Sequence, residues 1–225
     1  MTHLFYTTQD WYQLPAELDW LTSAERERLD GFRFDKRRRD WLLGRWAAKI
    51  VLLRISGLSM WDIRRFQVDS ATDGAPVPLL DGSPCAVELS LSHSHGRAFA
   101  AVSRGATALG CDIEFVEPRS DVFVETYFTD SERVHVDDVS PLNRDSAVTK
   151  IWSAKESTLK ALRVGLKVDT RSVQVIDEGH HTGKDWGIGR SIVDDAGEFT
   201  CRWRVDGDFV LTIATRDPVE ISRAH

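Results

Sequence analysis

Apolar residues recur at helical spacing in two long stretches of this chain, one in each half. Leu43, Trp46, Ala47, Ile50 and Leu53 share one face of a helix predicted over 38–56, with Gly57 as its stop. A second helix is predicted over 150–163, ending near Gly165. Shorter helices are predicted at 24–29, behind a Thr22 or Ser23 cap, and at 122–127. Alternating or β-branched runs predict strands at 63–68, 85–91, 98–102, 107–115, 172–176, 187–193, 198–205 and 209–215. The Gly, Pro and Asp content of 71–84 predicts a loop with turns, and the polar stretch 132–145 predicts a mobile segment. Each half thus reads as a long helix followed by antiparallel strands. The predicted fold class is α+β, a pseudo-two-fold pair of similar halves at 1–112 and 113–225, without residue-level identity between them.

Composition narrows the class. The chain has 225 residues, 42% hydrophobic, with eight Trp and ten Phe, and no apolar run nears the roughly 18 residues of a membrane span. The start lacks the basic and apolar regions of a signal peptide, and Cys85, Cys111 and Cys201 are too few and too scattered for a disulfide framework or a zinc motif. The expectation is a cytoplasmic protein with packed thiols. The net charge of −6 is uneven: residues 1–112 carry 14 basic and 14 acidic residues, and 113–225 carry 15 and 21. Eight bases against two acids between Arg33 and Arg54 make a positive segment suited to an anion.

The candidate chemistry starts with carboxylates. In Leu109-Gly-Cys-Asp-Ile-Glu-Phe115, Asp112 and Glu114 are two apart, so on a strand they share a face while Cys111 and Ile113 point to the other side. Glu156, in Trp152-Ser-Ala-Lys-Glu-Ser-Thr-Leu-Lys160, supplies a third carboxylate from a helix. Three oxygen donors suit a hard divalent cation, magnesium first and manganese as the alternative. The plain reading is also open: Glu156 and Lys160 form a helix-stabilising i, i+4 pair, and a strand of alternating acids can face water. On the first long helix Arg38, Arg45 and Lys49 cluster beside the apolar stripe, as either a solvated flank or a phosphate-binding ridge. Ser92 and His93, in Leu89-Ser-Leu-Ser-His-Ser-His-Gly-Arg97, are either structural or contacts for phosphate or ribose oxygen. His-x-His alone is too little for zinc, and no Gly-x-Ser-x-Gly elbow marks a serine nucleophile.

The order of these blocks resembles the Sfp-type 4′-phosphopantetheinyl transferases. It runs through Phe32-Arg-Phe-Asp-Lys-Arg-Arg-Arg-Asp-Trp-Leu-Leu-Gly-Arg-Trp-Ala-Ala-Lys49, Gly74-Ala-Pro76, Leu91-Ser-His-Ser94, Gly110-Cys-Asp-Ile-Glu114, Phe128-Thr-Asp-Ser-Glu132 and the segment 152–160. The resemblance implies that family's fold, with coenzyme A in a cleft between two α+β halves. It implies transfer of 4′-phosphopantetheine from coenzyme A to a serine hydroxyl of an acyl or peptidyl carrier protein, releasing adenosine 3′,5′-bisphosphate, the activity of a holo-[acyl-carrier-protein] synthase. Asp112, Glu114 and Glu156 match the family's magnesium ligands. Arg39, His93 and Lys160 match positions that hold coenzyme A phosphates, Lys36 and Arg45 join them, and Gly74 to Pro76 match the loop beside the adenine. Ala75 stands where the family often has lysine. Within that reaction Glu156 is the expected base, Lys155 is expected to hold an acid in place by a salt bridge, and Val122, Phe123, Val124 and Phe128 form either a carrier-docking patch or core.

Three rivals are weighed. A magnesium-dependent phosphohydrolase or nuclease would use the same carboxylates. A non-catalytic coenzyme A-binding protein would not need all three. Nucleic-acid binding through Lys36-Arg-Arg-Arg39 runs against the net charge. The expectation is a monomeric enzyme with coenzyme A and a carrier as partners, and neither nucleic acid nor membrane.

Overall fold

A computed structural model of the chain describes residues 2–105, 108–177 and 186–224. Two compact units emerge: Met1–Ala106 with Val219–His225, and Thr107–Pro218. Both are α+β, and each packs one long helix on strands that are antiparallel except for one parallel pair in the first unit.

The first unit begins with β1 (Thr2–Asp10), then α1 (Ser23–Asp30) and α2 (Asp35–Ser56). A 3₁₀ turn (Met60–Arg65) leads to β2 (Phe66–Ser70), β3 (Pro76–Leu80), β4 (Ser83–Pro84), β5 (Glu88–Ser94) and β6 (Arg97–Ser103). Helix α2 ends as its sequence predicts: Gly57 takes the left-handed conformation, and the Leu58 N–H closes onto the Leu53 carbonyl. Its apolar face meets β6 in a core that includes Trp46, Leu52, Phe66 and Val102. His95 and Gly96, both at positive φ, form the two-residue turn between β5 and β6, which gives His95 a backbone role.

The second unit runs β7 (Leu109–Phe115), α3 (Asp121–Tyr127), α4 (Asp130–Asp138), α5 (Arg144–Ala161), β8 (Val173–Asp177), β9 (Gly187–Val193), β10 (Gly197–Asp206) and β11 (Phe209–Thr215). The last strand, β12 (Val219–Arg223), pairs in parallel with β1 in the first unit. The sheets read β12-β1-β6-β5 with a separate β2-β3-β4, and β7-β11-β10-β9-β8. Helix α5 lies on β7 and β11.

Four sequence expectations need correction. Segment 71–84 is no plain loop: β3 and β4 form there, with Pro78 tolerated in a short three-stranded sheet. Segment 132–145 is not a mobile stretch. It holds most of α4, whose capping box joins Thr129 to Glu132, and the start of α5. Residues 63–65 close a 3₁₀ turn before β2 starts. Strands β1 and β12 were not anticipated at all. Thr107, the first residue of the strand predicted at 107–115, lies outside the described residues.

Candidate active site

The alternation of β7 puts Gly110, Asp112 and Glu114 on the face that α5 covers. Gly110 sets how close the helix comes. A Cβ there would stand 1.8 Å from the Ser157 carbonyl oxygen and 2.6 Å from the Ala161 nitrogen, so only glycine lets strand and helix backbones meet. Asp112 is consequently only 3% exposed. It accepts from the Ser153 hydroxyl at 2.8 Å and from Lys160 Nζ at 2.7 Å. Glu114 accepts from the Trp152 indole at 3.3 Å and lies 3.6 Å from Arg119. Glu156 is half-buried on the same stripe of α5 as Ser153 and Lys160.

Asp112 acts on both of the other carboxylates. Burial pushes Glu114 up to about 7, with the charge of Asp112 adding to the shift and Arg119, Trp152 and Lys160 opposing it. Burial, then Asp112, raises Glu156 as well, with Lys160 pulling the other way. For Lys160 burial disfavours the charge, yet Asp112, with Glu156 adding to it, outweighs that penalty and holds the ammonium above its ordinary value; the same Nζ donates to the Cys111 carbonyl. Asp112 thus repels both Glu114 and Glu156, and carboxylate oxygens are donors of the kind a hard divalent cation takes. The side chains do not close on one point: among the described residues no three His, Cys, Asp or Glu groups are arranged to hold an ion. Asp112 faces Lys160 and Ser153 instead, and a cation would have to share it with that lysine.

Directly behind Glu156, Lys155 is fully buried and ion-paired with Glu132 at 2.8 Å, and its ammonium also donates to the carbonyls of Thr170 and Val173. Glu132 accepts in turn from the backbone N–H of Thr129 and of Val175. The first unit contains the same lattice. Lys49 is fully buried, pairs with Glu25 at 2.6 Å and donates to the Trp20 carbonyl; Glu25 accepts from the N–H of Thr22 and of Val68. Each valine lies 43 residues beyond its glutamate. Thr22, Glu25 and Val68 thus correspond to Thr129, Glu132 and Val175, and Trp46-Ala-Ala-Lys49 to Trp152-Ser-Ala-Lys155, at offsets of 106 or 107 residues. The halves do share residue-level identity, which corrects the sequence reading. The lattice also corrects the expected basic ridge: Lys49 belongs to the core, and Arg38 donates to the Leu29 carbonyl.

Six of the eight predicted coenzyme-binding residues line one cavity of about 800 Å³ in the first unit: Lys36, Arg45, Gly74, Pro76, Ser92 and His93. Arg28 and Arg37 line it too, residues the sequence reading did not single out. Arg45 stacks on Trp41 and reaches Ser70, and burial lowers its pKa. Arg39 stands outside this cavity, over the Trp11 ring. Lys160 belongs with the carboxylates of the second unit. Of the expected apolar patch, Val124 and Phe128 are core, Phe123 packs on Tyr127 and Trp152, and Val122 is 69% exposed.

Comparison with known proteins bears on the second unit. The sequence profile described as the 4′-phosphopantetheinyl transferase superfamily matches residues 108–214. Solved structures similar to part of the chain include two acyl-carrier-protein synthases. A holo-(acyl-carrier-protein) synthase from Bacillus anthracis str. Ames, in complex with CoA (3′,5′-ADP), is 22% identical with a TM-score of 0.39, over 46% of this chain and 96% of that one. A holo-[acyl-carrier-protein] synthase (AcpS) from Thermotoga maritima is 19% identical with a TM-score of 0.38, over 49% of this chain and 62% of that one. No curated protein sequence matches the chain. Among the described residues no helix is long and apolar enough to cross a membrane.

Proposed function

We propose, from the match of residues 108–214 to the 4′-phosphopantetheinyl transferase superfamily, that the chain transfers 4′-phosphopantetheine from coenzyme A to a serine hydroxyl of an apo acyl or peptidyl carrier protein. The observation that carries this reading is the buried acid cluster of β7 and α5, inside the matched segment. Asp112, Glu114 and Glu156 would hold a magnesium ion, which supplies charge neutralisation for a pyrophosphate when bound.

The chain's own residues account for the remaining steps. Glu156 takes the serine proton as the serine oxygen bonds to phosphorus and the bond to the adenosine 3′,5′-bisphosphate oxygen breaks. In the metal-free chain burial raises the Glu156 carboxyl, and a carboxylate of higher pKa is the stronger base. Lys160 pairs with Asp112 and adds a positive charge where phosphate oxygens gain negative charge. The cationic cavity of the first unit, with Lys36, Arg45 and His93, suits the phosphates of coenzyme A, and Gly74 and Pro76 offer backbone at its wall. Arg39 contributes from the adjoining surface.

The test is mass spectrometry of an apo-carrier incubated with the protein, coenzyme A and magnesium. A mass gain of one prosthetic arm is expected with wild type. Glu156→Gln should slow transfer by roughly 100-fold or more, the scale of a lost general base. Coenzyme A cleavage without a carrier would identify a phosphohydrolase instead, and an unchanged rate in Glu156→Gln would remove that residue from both its roles.

A further inference from the structure

Asp112 is held by more than its lysine. Thr212 of β11 stands directly opposite it in the strand ladder, and Ser153 of α5 bonds to both side chains. Ser153 and Thr212 are fully buried, and their hydroxyl oxygens lie 2.9 Å apart. Proton counting sets the direction of this chain, because each hydroxyl has a single proton to give. Ser153 donates to Asp112 Oδ2 at 2.8 Å, which leaves Thr212 as the donor between the hydroxyls. Thr212 shares that proton with the Ser153 carbonyl, also at 2.8 Å.

Ser153 departs from its neighbours on the helix. Ser157 and Thr158 turn their hydroxyls back to the Ala154 carbonyl, at 3.0 and 2.8 Å, a common choice for such residues inside a helix. The Ser153 hydroxyl crosses to the strands instead. The repeat shows that packing does not require it: Ala47, fully buried, occupies this place on α2, and Phe5 occupies the place of Asp112 at an offset of 107 residues. The two oxygens of Asp112 therefore have unlike surroundings. Oδ2 accepts from a hydroxyl that is fully buried, whereas Oδ1 faces Lys160, whose side chain is 28% exposed.

We propose that Ser153 and Thr212 are positioning residues, which lock the Asp112 carboxylate through Oδ2 and leave Oδ1 as the oxygen offered to a divalent cation. A hydrogen bond from behind a ligating carboxylate fixes its orientation, so the ion meets a donor that has no rotation left to lose. Two hydroxyls in series hold better than one, since the bond from Thr212 polarises Ser153 toward its own acceptor. The inference deepens the proposed function and rests on it in taking Asp112 as a cation ligand.

The experiment follows Mn²⁺ binding to the full chain by electron paramagnetic resonance, without coenzyme A or carrier. Ser153→Ala should weaken binding by roughly 10–100-fold, the range for losing a support behind a metal ligand. Thr212→Val keeps the shape and removes the hydroxyl, whereas Thr212→Ser keeps the hydroxyl and removes a methyl. The valine substitution should weaken binding by about threefold to tenfold, the range of one neutral hydrogen bond, and the serine substitution should leave it unchanged. The reverse order would show that Thr212 acts through packing and would overturn its role. Urea unfolding in EDTA adds a readout that needs no metal. Ser153→Ala should raise the unfolding constant by about tenfold or more with Asp112 intact, and by about threefold in Asp112→Asn, where the acceptor carries no charge. If Ser153→Ala does not fold, the two Thr212 variants decide. Variants that bind Mn²⁺ as wild type does, or equal effects of Ser153→Ala in both backgrounds, would overturn the inference and leave the transferase reading standing. A wild type that binds no Mn²⁺ would count against the acid cluster as a metal site and take this inference with it.

Discussion

The two units share a scaffold and differ along one stripe. In both, a capped glutamate, a buried lysine and a valine N–H tie a short helix, a long helix and a strand together. Where α5 presents Thr149, Ser153 and Glu156 to its strand, α2 has Leu43, Ala47 and Ile50 at the matching offsets. Where Lys160 pairs with Asp112, Arg54 stacks on the Phe5 ring. The fold plainly does not need carboxylates on this stripe, because the first unit buries hydrocarbon there. In the second unit Glu114 and Glu156 sit with raised pKa values, a destabilising arrangement that the scaffold tolerates. An energetic penalty confined to one copy of a repeated fold points to function in that copy.

The largest expected effect tests whether the shared lattice is equivalent in both units. Lys49→Met and Lys155→Met each leave a buried glutamate without its cation, which should cost about 3–5 kcal/mol of stability in either unit. Urea unfolding followed by tryptophan fluorescence measures both. Adding Glu132→Leu to Lys155→Met should recover much of the loss, because the unpaired charge goes with it. A large cost for one lysine and none for the other would break the correspondence.

Much of this scaffold could be read in the residues, and the failures have physical causes. Helices α2 and α5 both carry apolar stripes, but the glycine stop holds only for α2 at Gly57: α5 ends at Ala161, with Arg163 taking the left-handed conformation ahead of Gly165. Strands β9 and β11 have the predicted ends, Gly187–Val193 and Phe209–Thr215. The shared face of Asp112 and Glu114 follows from strand alternation, whereas no periodicity places Glu156 beside them. Helix α4 was missed because it buries only Glu132 and Val136 and turns polar residues outward, so it has almost no apolar pattern. Lys49 was placed on a ridge because lysine is rarely fully buried, and its partner lies 24 residues away. The missed signal was Thr-x-x-Glu occurring twice, at Thr22 and Thr129, each ahead of a Trp-x-Ala-Lys helix. Strand β1, with three threonines and a glutamine in nine residues, showed too little apolar alternation to be recognised.

The pH dependence of stability gives a mid-sized effect. A glutamate at about 7 in the folded chain and 4.5 when unfolded stabilises the fold while it stays protonated. Without divalent cations, stability should therefore be greatest from this group below pH 4.5 and should fall as pH rises through 7, by about 2–3 kcal/mol. Glu156 shifts in the same direction. The matching stripe of the first unit, Leu43, Ala47 and Ile50, has nothing that titrates. Added magnesium should restore stability at pH 8, where the carboxylates are ionised, and do little at pH 4. Urea midpoints across this range decide it; a flat profile that magnesium does not move would count against a shared, strained acid site.

The smallest effect asks whether the second unit can be returned to the state of the first. Glu156→Ile installs the residue that α2 carries at Ile50, replacing a desolvated carboxylate with hydrocarbon against the same strand. It should raise stability by about 1 kcal/mol, since apolar replacement of a buried ionic group is often neutral or favourable. Transfer to a carrier should be lost in the same variant. The opposite signs matter more than the size. A residue kept for packing would lower stability and activity together when replaced, and that joint loss would place Glu156 with the scaffold that the two units share.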